Sequence, residues 1–125
     1  MAALEKKNSF RMKILVFYSL FILAASLFPL GREDFPSFLP LDKAVHFFMY
    51  FFLACLSGRA FVNMAGWVRI SFIYAFSWGI IMELIQYYLP YRSFEWKDIL
   101  SNLLGCILGI YLYVIRRRKI VKVSV

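Results

Sequence analysis

The chain reads as an all-α integral membrane four-helix bundle with both termini in the cytoplasm. Three observations carry that reading. Four long apolar runs recur within 125 residues. Hydrophobic residues make up 62% of the chain, with a mean hydropathy of +0.70. Basic residues cluster before the first run and after the last. A soluble domain of this size has too little interior to hide so much apolar side chain, so the alternative of a greasy soluble all-α fold is set aside.

The first run, Ile14–Leu30, is seventeen residues without a charge. The second runs from Asp42 to Val62, with Arg59 at its end, long enough to snorkel to the interface. The third, Ile70–Leu89, contains Glu83 and Gln86. The fourth is Ile99–Ile115. A helix of roughly 17–25 apolar residues crosses a bilayer, so each run suffices, the second least clearly. Re-entry of two runs is the lesser alternative. Met1–Ser26 has the basic start and small residues of a cleaved signal, but the apolar run continues past Ser26 and three more follow, so an uncleaved anchor is expected. The organisation expected is a basic cytoplasmic tail at 1–13, a four-helix transmembrane domain at 14–115 and a second basic tail at 116–125.

The net charge of +8 resembles a nucleic-acid signature only until it is mapped. Lys6, Lys7, Arg11 and Lys13 precede the first run, and Arg116, Arg117, Arg118, Lys119 and Lys122 follow the last. Flanking charge of this kind sets topology and meets anionic headgroups, so no nucleic-acid partner is expected. With four crossings, eleven of the fifteen basic residues fall on the side of the termini. Only Arg32, Lys43, Arg92 and Lys97 fall on the other, which puts the termini inside. Trp96, Tyr87, Tyr88, Tyr91 and Phe94 form an aromatic belt at the outer interface, and Trp67, Tyr111 and Tyr113 can do the same inside. Cys55 and Cys106 lie in apolar runs and read as small packing residues.

Eight polar residues remain at the outer ends of these runs: Asp42, Lys43, His46, Glu83, Gln86, Arg92, Asp98 and Asn102. A charge at the centre of a membrane helix costs roughly 2.5–3.5 kcal/mol on insertion scales, so something must offset them. At 1.5 Å per residue, His46 lies about 6 Å deeper than Asp42, and Asn102 lies one turn below Asp98. Asp42, His46 and Tyr50 recur at i, i+4, i+8 and share one side of helix two. Glu83 and Gln86 share a face of helix three, as do Asp98, Ser101, Asn102 and Gly105 on helix four. Packing these faces together makes a polar pocket open to the outside. Simpler readings stand beside this one. Asp42 can N-cap helix two, and Asp98 can complement the positive end of helix four. His46 can be an interhelical hydrogen bonder, and Lys43 and Arg92 interfacial anchors. Glu83 resists such readings best, being deep with no cation within a turn on its own helix. Ser101, Gly105 and Gly109 form a small-residue stripe that reads as helix packing.

In order and approximate spacing, Asp42-Lys43, His46, Tyr50, Glu83, Gln86, Pro90, Arg92, Asp98, Asn102, Gly105 and Gly109 resemble the VanZ-like membrane protein family. The likeness covers Leu41–Gly109. The family is named for a protein associated with teicoplanin resistance. The resemblance implies a multi-pass protein of the bacterial cytoplasmic (inner) membrane, linked to the cell envelope and, more distantly, to glycopeptide resistance. It implies no particular reaction or cofactor.

The residues themselves leave three readings open. In the first, an intramembrane enzyme acts on an anionic lipid-linked intermediate at the outer leaflet. His46, Glu83 and Asp98 would be its catalytic groups. Asp42, Lys43, Tyr50, Gln86, Arg92 and Asn102 would bind the ligand, Lys43 and Arg92 taking a phosphate or carboxylate. Asp42, His46, Glu83 and Asp98 can also hold a divalent metal, but their spacing matches no metal motif, so no metal is assigned. In the second reading the pocket binds or moves a lipid without turning it over, as a homo-oligomer in the case of transport. In the third it only locks helices or binds a partner protein.

Overall fold

A computed structural model describes residues 1–28, 41–92 and 94–123. Among these the chain forms four helices and no strand: α1 (Ala2–Leu27), α2 (Leu41–Phe61), α3 (Trp67–Tyr87) and α4 (Trp96–Val123). Each is long and apolar enough to cross a membrane. Leu30, Arg32 and the rest of the first loop as far as Pro40 lie outside the described residues.

The helices outrun the apolar runs at both ends of the chain. Residues 2–13 continue α1 and residues 116–123 continue α4, so these basic segments are helical. The reason is local: neither stretch holds a glycine or proline, and Ala, Leu, Glu, Lys and Arg all propagate helix. Where the helices stop, the stop has a cause. Phe28 is extended (φ −71°, ψ 130°), as suits a residue that precedes a proline in sequence. Gly66 takes φ +69°, a left-handed conformation open to glycine, and so lets α2 turn into α3 within five residues. Pro90 follows the end of α3 and cannot continue it.

Interhelical bonds fix an up-down-up-down arrangement. At one end Arg11 donates to the Arg59 carbonyl, and Arg117 donates to the Val62 carbonyl (both 3.5 Å). At the other end Gln86 donates to the Ser26 carbonyl (3.4 Å) and the Tyr91 hydroxyl to Leu27 (2.7 Å). The first is called here the basic end and the second the site end. Between them Tyr18 donates to the Met49 carbonyl, Ser19 pairs with the Tyr74 hydroxyl, and Ser57 donates to the Ser71 carbonyl. Such bonds satisfy polar groups that lipid cannot.

The most extensive pairing is α2 with α4. A side chain at Gly105 would fall on the Phe47 carbonyl oxygen, and one at Gly109 would stand 2.5 Å from the Phe51 carbonyl oxygen. The small-residue stripe thus lets two backbones meet. Cys106 is buried in this seam, and Cys55 donates weakly to the Gly109 carbonyl. The interior is narrow: Leu15, Ile22, Tyr50, Leu53, Ala54, Ala75, Met82 and Ile110. Phe17, Phe21, Phe48, Phe52, Ile73, Ile81, Leu84, Leu104 and Tyr111 all face outward. So much exposed apolar surface is unstable in water and ordinary against lipid.

Candidate functional site

His46 stands at the centre of the site end, where three helices converge. Its Nδ1 lies 3.1 Å from Asn102 Oδ1 on α4 and 3.6 Å from Glu83 Oε1 on α3. Its Nε2 lies 3.8 Å from Asp98 Oδ2, one turn before Asn102. An amide oxygen and a carboxylate oxygen can only accept. Of these contacts only that with Asn102 is at hydrogen-bond distance, so in the neutral ring the proton is assigned to Nδ1, donating to Asn102 Oδ1, and the lone pair to Nε2.

Lys43 is saturated by carboxylates. Its Nζ lies 2.5 Å from Asp98 Oδ1, 2.6 Å from Glu95 Oε2 and 3.4 Å from Asp42 Oδ2. An ammonium has three donors, and here each meets an acid. All three donors of Lys43 are thus engaged by the protein's own carboxylates. Sequence reasoning missed Glu95 as part of this cluster. It stands three residues before Asp98, whose backbone N–H donates to the Glu95 carbonyl (2.9 Å). That spacing, at the start of α4, was the available signal.

Depth increases below His46. Glu83 is 0% exposed, and neither carboxylate oxygen has a hydrogen-bond partner among the described residues. The same holds for the buried Tyr50 hydroxyl and for Asn102 Nδ2. A side chain at Gly79 would come within 3.2 Å of the Tyr50 ring and 3.3 Å of Asn102 Nδ2. Gly79, one turn before Glu83, is therefore what lets Tyr50 and Asn102 reach the floor of the cluster. It was legible only as an isolated glycine in a helical run. An orphaned buried polar atom costs about 1–3 kcal/mol, and more if charged.

The remaining residues divide. Arg92 is half-buried in the loop after Pro90, within electrostatic range of Glu83. Gln86 holds the end of α1 through the Ser26 carbonyl. Ser101 bonds back to the Lys97 carbonyl of its own helix. The structure thus brings Asp42, Lys43, His46, Tyr50, Glu83, Asp98 and Asn102 together, sets Arg92 nearby and leaves Gln86 out. The aromatic residues Tyr87, Tyr88, Tyr91, Phe94 and Trp96 ring this end and are exposed.

The sequence profile of the VanZ/LLP1 family matches residues 3–117, nearly the whole chain. The chain belongs to the VanZ/LLP1 family. Among its relatives is the uncharacterized protein C11E3.10 of Schizosaccharomyces pombe. The two are 32% identical over 120 aligned positions, covering 87% of this chain and 67% of the relative. No solved structure matches. Family and fold together make this VanZ/LLP1 chain a multi-pass membrane protein. The match extends past the polar layer to include α1, which the motif likeness over Leu41–Gly109 did not cover.

Proposed function

We propose that the His46 cluster takes the polar headgroup of a membrane amphiphile and acts on it at the membrane face, with the tail lying along the lipid-exposed helices. One observation carries this reading: Glu83 is fully buried against His46 with both oxygens unbonded. A group of that cost is poor glue, since interhelical polar contacts in membranes average only about 0.6 kcal/mol. His46 Nε2, with its lone pair, is the ring atom that would face the headgroup. Glu83 and Asn102 would hold the ring in that tautomer from behind, while Asp98 faces Nε2 and would orient the incoming group.

The fission-yeast relative favours a headgroup that eukaryotic and bacterial membranes share, such as a phospholipid or a polyprenyl phosphate. A ligand confined to bacterial walls fits less well. On this reading glycopeptide resistance would be a particular use of the family. The basic residues at the other end support an orientation with the site outward, in a bacterial inner membrane on this reading. Labelling of a cysteine at Tyr91 by an impermeant maleimide, with Cys55 and Cys106 replaced by alanine, tests the orientation; protection from outside reverses it.

The test of function is native mass spectrometry of the chain extracted with its own lipids. Wild type should retain a specific amphiphile that His46→Ala and Glu83→Gln release, both variants staying folded. If wild type retains nothing and both variants lose thermal stability, the layer is structural and the proposal fails.

A further inference from the structure

Asp42, His46 and Asp98 each offer one ligand atom, and the three atoms lie within 4.8 Å of one another. We propose that these residues bind a divalent first-row cation, Zn²⁺ or Mn²⁺, which receives an anionic oxygen of the headgroup. The inference rests on the headgroup reading for its ligand, but the cation site itself stands on four observations of its own.

The first is the ring. With Nδ1–H turned toward Asn102 and Glu83, Nε2 presents its lone pair toward Asp98 Oδ2, as a metal ligand must. The second is spacing. Two donors about 2.1 Å from a tetrahedral ion stand about 3.4 Å apart. His46 Nε2 and Asp98 Oδ2 are at 3.8 Å, so a few tenths of an ångström of closure suffices. Asp42 sits one turn before His46 on the same face; its side chain is 47% exposed, and Lys43 engages only its Oδ2, at 3.4 Å, which leaves Oδ1 for the ion. Lys43 holds Asp98 Oδ1, which leaves Oδ2 for the ion.

The third observation is Glu83. A fully buried carboxylate with both oxygens unbonded stands behind the imidazole, 3.6 Å from Nδ1. Metal-bound histidines are usually backed in this way by a carboxylate or carbonyl on the second nitrogen, which fixes the ring and makes it a better ligand. The fourth is charge. Around Lys43 the three carboxylates of Asp42, Glu95 and Asp98 outnumber the one ammonium by two. A divalent cation balances that surplus. It also supplies the positive charge for an anionic headgroup that Lys43, saturated by three acids, cannot. One imidazole and two carboxylates with no thiolate suit Zn²⁺ or Mn²⁺, and three protein ligands leave positions open.

The test is equilibrium dialysis of the full chain in nanodiscs against Mn²⁺ or Zn²⁺ alone, with bound metal read by plasma mass spectrometry and Mn²⁺ also by spin resonance. Wild type should show a single saturable site. Asp42→Asn, at an exposed position where folding is not at stake, and His46→Gln should weaken it at least about tenfold, and Asn102→Ala about 10–100-fold through the ring. Glu95→Gln removes a charge from the same end but no ligand atom, and should bind more tightly than Asp42→Asn. Absence of saturable binding by wild type overturns the proposal, as does binding by Asp42→Asn and His46→Gln equal to wild type. Lipid retained after chelator treatment by a chain that binds no metal sinks the cation and spares the headgroup site. Metal bound with no lipid retained does the reverse.

Discussion

The two ends of this bundle carry charge in opposite ways. At the basic end the charges are peripheral. Arg11 and Arg117 reach helix-terminal carbonyls, and Arg117 lies over the Trp67 ring at 5.2 Å, which in turn packs edge-on against Tyr113. Arg11 and Arg117 each reach a backbone carbonyl, and Arg117 also has a ring beneath it. At the site end the charges are inside. Glu83, Asp98 and Asn102 are buried on two helices, and several of their polar atoms go without hydrogen bonds. Charge at a membrane surface follows topology and headgroups; charge kept inside, partly unsatisfied, points to a use beyond stability.

That contrast can be broken most severely at the seam that builds the site. Gly105→Leu drives a side chain into the α2 backbone beside Phe47. Overpacking a core costs about 1–3 kcal/mol even when side chains can give, and here the obstacle is backbone, so thermal unfolding should show the largest loss of any variant named here. Retained stability would mean that α2 and α4 separate without harm.

Lys43→Met comes next. It strips Asp98 and Glu95 of their cation while keeping the apolar stem. Breaking a fully buried pair costs about 3–5 kcal/mol; with the Lys43 side chain 27% exposed, about 2–3 kcal/mol is expected in a denaturation series. A neutral result would make the triple ion pair incidental.

Glu83→Gln, the variant of the lipid experiment, should sharpen the comparison. It keeps shape and removes a buried charge, so stability should stay within about 1 kcal/mol of wild type or rise while ligand retention is lost. Stability lost together with ligand would move Glu83 to the structural column. At the basic end Arg117→Gln should cost under about 1 kcal/mol and leave ligand retention untouched, because its partners are a terminal carbonyl and an interfacial ring.

Much of this was legible in the chain. Helix number and approximate span follow from apolar runs whose length must match a bilayer, and the faces of α2 and α4 follow from helical spacing. Asp42, His46 and Tyr50 align on one side of α2, and Gly105 and Gly109 mark where a neighbour comes close. Such local rules do not say which neighbour a side chain meets. Gln86 and Glu83 share a face of α3, yet Gln86 serves α1 and Glu83 serves His46. Lys43 reads as a free cation in sequence, but the start of α4 brings it two acids. Periodicity and hydropathy are properties of one helix against its solvent, and these fixed the elements, their faces and the membrane. Partner choice depends on how four helices rotate and close on one another. Only that packing decided that His46 is ringed by Glu83, Asp98 and Asn102, and that Lys43 is already taken.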